Sequence, residues 1–248
     1  MLASSARGLF AQTSTTNPAP WGTWLIGTVQ MSGGEKKWGG FAEVQSRSNS
    51  LGREFFYSEI KGGISYDLNP NFTATLAGGR YATYDYQALE DGPLNTEGRL
   101  WQQLVINQFL SRLRFEHRYR VEQRWFKFRD GTYPYRNRIR YRFYGFLPLN
   151  KPTIKAKTVF LAAYDEIFLN PKGPTFERNR LYGGVGYQLD KHWVFQLGWV
   201  NQTNYNPASF DQGVFKPIAA SGKNNVVLNV QYRITRKASS ERLPSQPD

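Results

Sequence analysis

The sequence predicts an all-β fold, a single up-and-down antiparallel transmembrane β-barrel of about 12 strands (10–12). Three observations point to it. The dominant period between Trp21 and Arg236 is two; the best alternating runs put charge on one face and rings on the other; and turn residues separate the runs, with short and longer connections in alternation. A strand sends successive side chains to opposite faces, whereas a helix would scatter the same residues around its circumference.

Taken in order, residues 1–20 read as a signal-peptide remnant and disordered leader. Leu9, Phe10, Ala11 and Gln12 resemble the end of a secretory signal, with Ala11 as the small residue before cleavage. Only scattered apolar residues precede it, where a full signal carries about 7–15. The barrel is assigned to 21–236, with strands near 21–31, 37–47, 54–67, 71–83, 97–110, 112–126, 135–147, 154–166, 177–188, 192–204 and 224–235. The clearest is 112–126, where Arg112, Arg114, Glu116, Arg118, Arg120, Glu122 and Arg124 alternate with Leu113, Phe115, His117, Tyr119, Val121, Gln123 and Trp125. Arg136, Arg138, Arg140 and Arg142 then alternate with Asn137, Ile139, Tyr141 and Phe143. Residues 237–248 form a polar tail expected to be mobile.

Short connections are expected at 33–35, 69–70, 111, 150–152 and 190–191, and longer ones at 46–53, 84–96, 127–134, 168–176 and 205–223, punctuated by Asn-Pro, Asp-Gly and Pro-Lys-Gly. Eleven runs are visible, yet about 216 residues divided into strands of about 18, connections included, make twelve, the even count usual for single-chain bacterial barrels. Either a strand is missed, within 85–95 or 213–220, or the first short segment is not a full span.

Composition excludes several functions. The 248 residues hold 32 Lys and Arg against 19 Asp and Glu, a formal charge of +13, with no cysteine and two histidines. Disulfide scaffolds, thiol nucleophiles, iron–sulfur clusters and cysteine zinc sites are out, and a His-rich metal centre has little to draw on. A mean hydropathy of −0.57 and the lack of a long apolar run exclude transmembrane helices. No cofactor is expected, since no GxSxG, Walker, dinucleotide or zinc-ligand pattern occurs. Gly183, Gly184 and Gly186 read as strand glycines that give bends or close packing.

A lipocalin-like barrel has an apolar interior, and an outer-membrane barrel has the reverse. Opposite the arginines stand Phe115, Tyr119, Trp125, Tyr141 and Phe143. Trp38, Tyr66, Trp193, Trp199 and Tyr232 lie on other candidate outward faces, as the aromatic girdles of a membrane barrel require. Nucleic-acid platforms carry rings and basic residues on one face, so no nucleic-acid partner is expected.

Several runs carry a family resemblance: EGRLWQQ at 97–103, HRYRVEQRW at 117–125, RIRYR at 138–142, YDEIFLN at 164–170 and NRLYGGVGY at 179–187. In this order they resemble DUF2490, a family of outer-membrane-type proteins of Bacteroidota. The resemblance implies a barrel in the bacterial outer membrane, with outer-membrane lipid around it, and names no reaction. Many such barrels end on an aromatic residue of the last strand; here polar residues follow that strand.

If the charged faces point inward, Glu116, Arg118, Arg120, Glu122, Arg124, Arg138, Arg140 and Arg142 share a wall of the lumen. They would form either an ionic network that fills a narrow barrel or a site for small anions, because guanidinium forks match phosphate and carboxylate. Like charges directly opposite one another destabilise a sheet, so carboxylates must be interleaved or the arginines must meet water or anions. The expected function is a narrow Arg-lined transport or binding barrel, or a structural partner of an envelope protein. The alternative is a membrane-embedded lipid-modifying hydrolase built on His117, which has no serine two residues away and would need a partner from a neighbouring strand. His192 reads as an interfacial turn residue, and Asp165 and Glu166 point to opposite faces, so neither completes an acid–base pair.

Overall fold

The computed structural model describes residues 21–236 apart from 174, 207–208, 212–213 and 217–218, with backbone only across 206–219. The expected signal remnant, leader and tail lie outside the described residues. The strands are β1 (Trp21–Met31), β2 (Trp38–Ser50), β3 (Arg53–Asn69), β4 (Phe72–Tyr84), β5 (Pro93–Leu110), β6 (Leu113–Phe128), β7 (Tyr135–Pro148), β8 (Thr158–Leu169), β9 (Phe176–Gln188), β10 (Trp193–Asn206), β11 (Ser209–Asp211), β12 (Val214–Lys216) and β13 (Ala219–Ile234). β11 and β12 form a small hairpin of their own; the other eleven close a barrel in the order β1-β13-β10-β9-β8-β7-β6-β5-β4-β3-β2.

Eleven is within the expected range and one short of twelve. The residues in which a twelfth strand was sought are absorbed elsewhere. Within 85–95 lie a one-turn 3-10 helix at Leu89–Asp91 and the start of β5, which runs for 18 residues. Within 213–220 lie β12 and the start of β13, which runs for 16. An up-and-down sheet with an odd number of strands must close on one parallel pair. That pair is β1 and β13, in register from Trp21↔Asn224 to Met31↔Ile234. Every other barrel neighbour is antiparallel.

The alternation of connection lengths holds with three exceptions, the first being residues 32–37, a six-residue connection with a 3-10 turn where a short one was expected. Residues 51–52 make a two-residue turn at the end where longer loops were expected, because β2 and β3 extend to Ser50 and Arg53. Residues 149–157 make a long loop at the opposite end; β8 begins only at Thr158, after Lys157 with a φ of 60°. This loop sends Ile154 into the barrel.

Sidedness follows the period of two. β6 reads buried at every even position from Arg114 to Phe126, and Tyr119, Val121 and Trp125 of the other face are exposed. The interior is filled in two ways. An apolar cluster of Tyr144, Phe146, Phe160, Val194 and Ile154, with Tyr182, Val200, Trp24 and Val227, occupies the β7–β10 side and reaches across to β13 and β1. A charged lattice occupies β5 to β9 beside it. Glycines make room for the rings: the Cβ position of Gly186 lies 2.1 Å from the Phe160 ring, and that of Gly198 lies 2.4 Å from the Tyr182 ring.

Candidate functional site

β6 and β7 pair in a register that sets Arg118 opposite Arg142 and Arg120 opposite Arg140. Like charges so placed repel, and three glutamates interleave them. Glu122 accepts from Arg138 (2.7 Å) and Arg140 (2.8 Å), with Arg120 at 3.6 Å and Arg99 at 3.7 Å. Glu166 on β8 accepts from Arg118 (2.6 Å) and Arg140 (2.7 Å), with Arg180 at 3.7 Å. Glu116 accepts from Arg142 (3.0 Å) and Arg114 (3.1 Å). Arg124 reaches Glu97 on β5 with Nε at 2.7 Å and Nη2 at 3.1 Å, and Arg120 donates to Gln103. The eight residues singled out from the sequence thus face the lumen, all buried, Glu116 with Arg142 and Arg114 in one group and the other six joined through Glu166, Glu122 and Glu97.

The guanidinium planes also lie over rings. Arg138, Arg140, Arg178 and Arg180 approach the Phe168 ring with centroid distances of 5.0, 4.6, 5.6 and 4.8 Å. Arg120 sits over Trp101, Arg142 over Tyr144, and Arg99 over Tyr81. Such contacts are worth about 0.5–2 kcal/mol each, more when water is excluded. Rings therefore take up cationic charge that the carboxylates alone do not match. Among the described buried residues eleven cations, ten Arg and Lys61, stand against six Glu, an excess of five.

The period of two predicts the inward arginines but not Glu97, Trp101, Glu166 and Phe168. Their strands alternate more weakly, and their role depends on register across strands. A second, smaller cluster lies on β2 and β3, where Lys61 pairs with Glu43 (2.7 Å) and Glu59 (2.6 Å), and Tyr57 donates to Glu59.

On the outside, His117 bonds Tyr141 Oη (2.8 Å) and Gln108 Oε1 (3.3 Å), with no serine hydroxyl beside it. His192 Nδ1 donates to the Arg233 carbonyl and its ring stacks on Tyr232, so it is fixed in a turn. Asp165 and Glu166 do face opposite ways, Asp165 outward against Asn179. No group of three or more His, Cys, Asp and Glu side chains able to hold a metal occurs among the described residues.

The fold and the filled cationic lumen define a closed β-barrel with its charge inside. The chain belongs to the family described as "Protein of unknown function (DUF2490)", whose model matches residues 21–213. A search of curated proteins returns no match. Among solved structures the barrel is similar to the NanC porin, at 10% identity over 86% of this chain and 98% of that one, with a TM-score of 0.47. It is also similar to the siderophore receptor PirA from Pseudomonas aeruginosa, at 11% identity over 78% of this chain and 44% of that one, with a TM-score of 0.27.

Proposed function

We propose that the chain is a bacterial outer-membrane β-barrel of the Bacteroidota type whose narrow, cationic lumen binds small anions and is closed at mid-height by its own ionic lattice. The Bacteroidota source rests on the family resemblance of the five runs alone, of which HRYRVEQRW is the most specific. The membrane placement is supported by the outer wall. Leu25, Val44, Ile60, Leu76, Leu100, Val121, Ile139, Leu161, Leu181, Leu197 and Leu228 are all exposed and form an aliphatic band around the barrel. Rings flank the band: Trp38 with Tyr66 and Trp193 with Tyr232 toward one end, Trp125 with Tyr135 toward the other. Water does not favour such a wall, whereas a bilayer does, with rings at its interfaces. The connections from β4 to β5, from β6 to β7 and from β8 to β9 and the β11–β12 hairpin share one end, which in this reading faces the cell exterior.

The single observation that carries the anion reading is the excess of five buried cations in the lumen. Closure is supported by Arg118, Arg120, Arg140, Arg142, Trp101 and Phe168, each below 2% exposed. Planar-bilayer recording tests the proposal. The wild type is expected to carry no steady current. Glu166→Gln, which keeps the shape and removes one negative charge, is expected to open an anion-selective path. A large steady wild-type current overturns closure. A cation-selective or silent Glu166→Gln barrel that has folded by heat-modified gel mobility overturns the anion-binding lumen.

A further inference from the structure

The outer wall carries one feature that the lumen does not explain. Arg80 on β4 faces outward: its neighbours Ala77 and Tyr81 are buried, Arg80 is exposed, and its cross-strand partners are the outward Ile60 and Gly98. Apart from Arg53 at the first position of β3, the barrel's other strand arginines point inward or sit over inward rings. Arg80 makes no ion pair or hydrogen bond among the described residues. It lies four residues before the end of β4, at the long-loop end.

The surroundings of Arg80 are shaped. A groove of about 730 Å³ runs over β13, β1, β2 and β3 and ends at Arg80, with Leu228, Leu25, Gly27, Val44 and Ile60 as its outward lining. Gly27 is the low point, because it sits in register between Val230 and Val44 and has no side chain. Toward the rim Ser58 pairs with Ala82, and Gly98 separates Arg80 from Trp125. An added Cβ at Gly98 would meet nothing within 4 Å, so the guanidinium has room on that side. Lys127, one step further along β6, is exposed on the same face.

We propose that this groove is a docking site for one anionic, phosphate-bearing lipid of the leaflet at the long-loop end, with an acyl chain along Leu228, Gly27, Val44 and Ile60 and a phosphate on Arg80. The inference rests on the membrane reading. An arginine on the lipid face is costly at mid-depth and tolerated near the interface, where its guanidinium can meet headgroups. An aliphatic trough leading to a cation without a protein partner matches the two ends of a phosphate-bearing lipid. A zwitterionic lipid such as phosphatidylcholine would fill the trough too, but its phosphate is already paired by its own choline cation and matches the guanidinium less well.

Native mass spectrometry of the full chain in neutral detergent tests this, with phosphatidylglycerol and phosphatidylcholine of the same chain length as probes. The wild type is expected to retain one phosphatidylglycerol at least ~5-fold more strongly than phosphatidylcholine, about the ratio that 1 kcal/mol gives. Arg80→Gln is expected to abolish that preference, and Gly27→Leu to weaken both lipids by filling the trough. Equal retention of the two lipids by the wild type, or an unchanged preference in Arg80→Gln, overturns the proposal. Loss of the preference in a large excess of inorganic phosphate also overturns it, because the site would then take phosphate without the chain. Flotation with pure phosphatidylcholine vesicles separates this from the membrane reading: a chain that does not insert there defeats that reading, whereas one that inserts without the preference defeats only the docking site.

Discussion

Two neighbouring regions of one lumen are filled by opposite means. Around Phe160, Phe146 and Val194 the barrel is filled mainly by volume, with rings set over glycines and guanidinium groups only at its edge, Arg114 over Phe146 and Arg142 over Tyr144. Around Glu122, Glu166 and Phe168 it is filled by guanidinium groups, which need carboxylates and rings on every side. Both achieve complete burial, but they fail differently. Apolar filling loses contacts in proportion to the atoms removed. Ionic filling concentrates its dependence on a few shared anions, because each glutamate serves two or more arginines, and breaking a buried pair leaves charge uncompensated.

The sharpest way to break that contrast is Glu166→Ala. It removes the anion shared by Arg118 and Arg140, and the expected loss is about 3–5 kcal/mol in urea unfolding of the detergent-folded barrel. A loss under about 1 kcal/mol would mean that water already screens the lattice, and the distinction between the two regions would collapse. Phe168→Ala tests the rings. Its expected loss of about 3–5 kcal/mol is that of a buried aromatic residue. The diagnostic is non-additivity with Arg140→Met, since residues in contact couple by about 0.5–3 kcal/mol.

The apolar region is tested by overfilling. Gly186→Ala would place a methyl group 2.1 Å from the Phe160 ring, so the ring or the strand must move. The expected cost is about 1–3 kcal/mol. Phe160→Ala in the same chain should remove part of that cost, because the methyl group would then enter the space the ring vacates. Additive losses in the double variant would show that the glycine serves the backbone rather than the ring.

The contrast was only half legible in the sequence. Strict alternation on β6 and β7 marks which residues face inward, because sidedness depends on local geometry alone. The expected strand limits of β1 and β7 also lie within a residue of those observed. What pairs with what depends on register, and a single sequence does not show that Glu166 on β8 lies level with Arg142 on β7 and Arg180 on β9. Strand number was obscured for a related reason. An even count presumes antiparallel closure, and the parallel β1·β13 seam becomes visible only when both strands are placed side by side. The apolar plug was missed because Phe160, Tyr182 and Val194 sit on weakly alternating strands, and the glycines beneath them do not announce which ring they admit.

The smallest effect belongs outside both regions, in the turn at the short-loop end, and it tests whether charge matters there at all. The Asp190 carboxylate accepts from the backbone N–H groups of His192 and Trp193, each at 2.7 Å. These bonds favour the ionised form and hold its pKa below the usual aspartate value. A depressed folded pKa gives stability that is present above the unfolded pKa, about 3.9, and is lost as pH falls through the folded one. Asp190→Ala should therefore lower the unfolding temperature slightly at neutral pH, with the gap to wild type closing as pH falls below the ordinary aspartate range. The residue is solvent-exposed, so a gap that persists unchanged in strong acid would assign the effect to turn geometry instead of charge. The buried lattice would then be the place where ionisation governs this barrel.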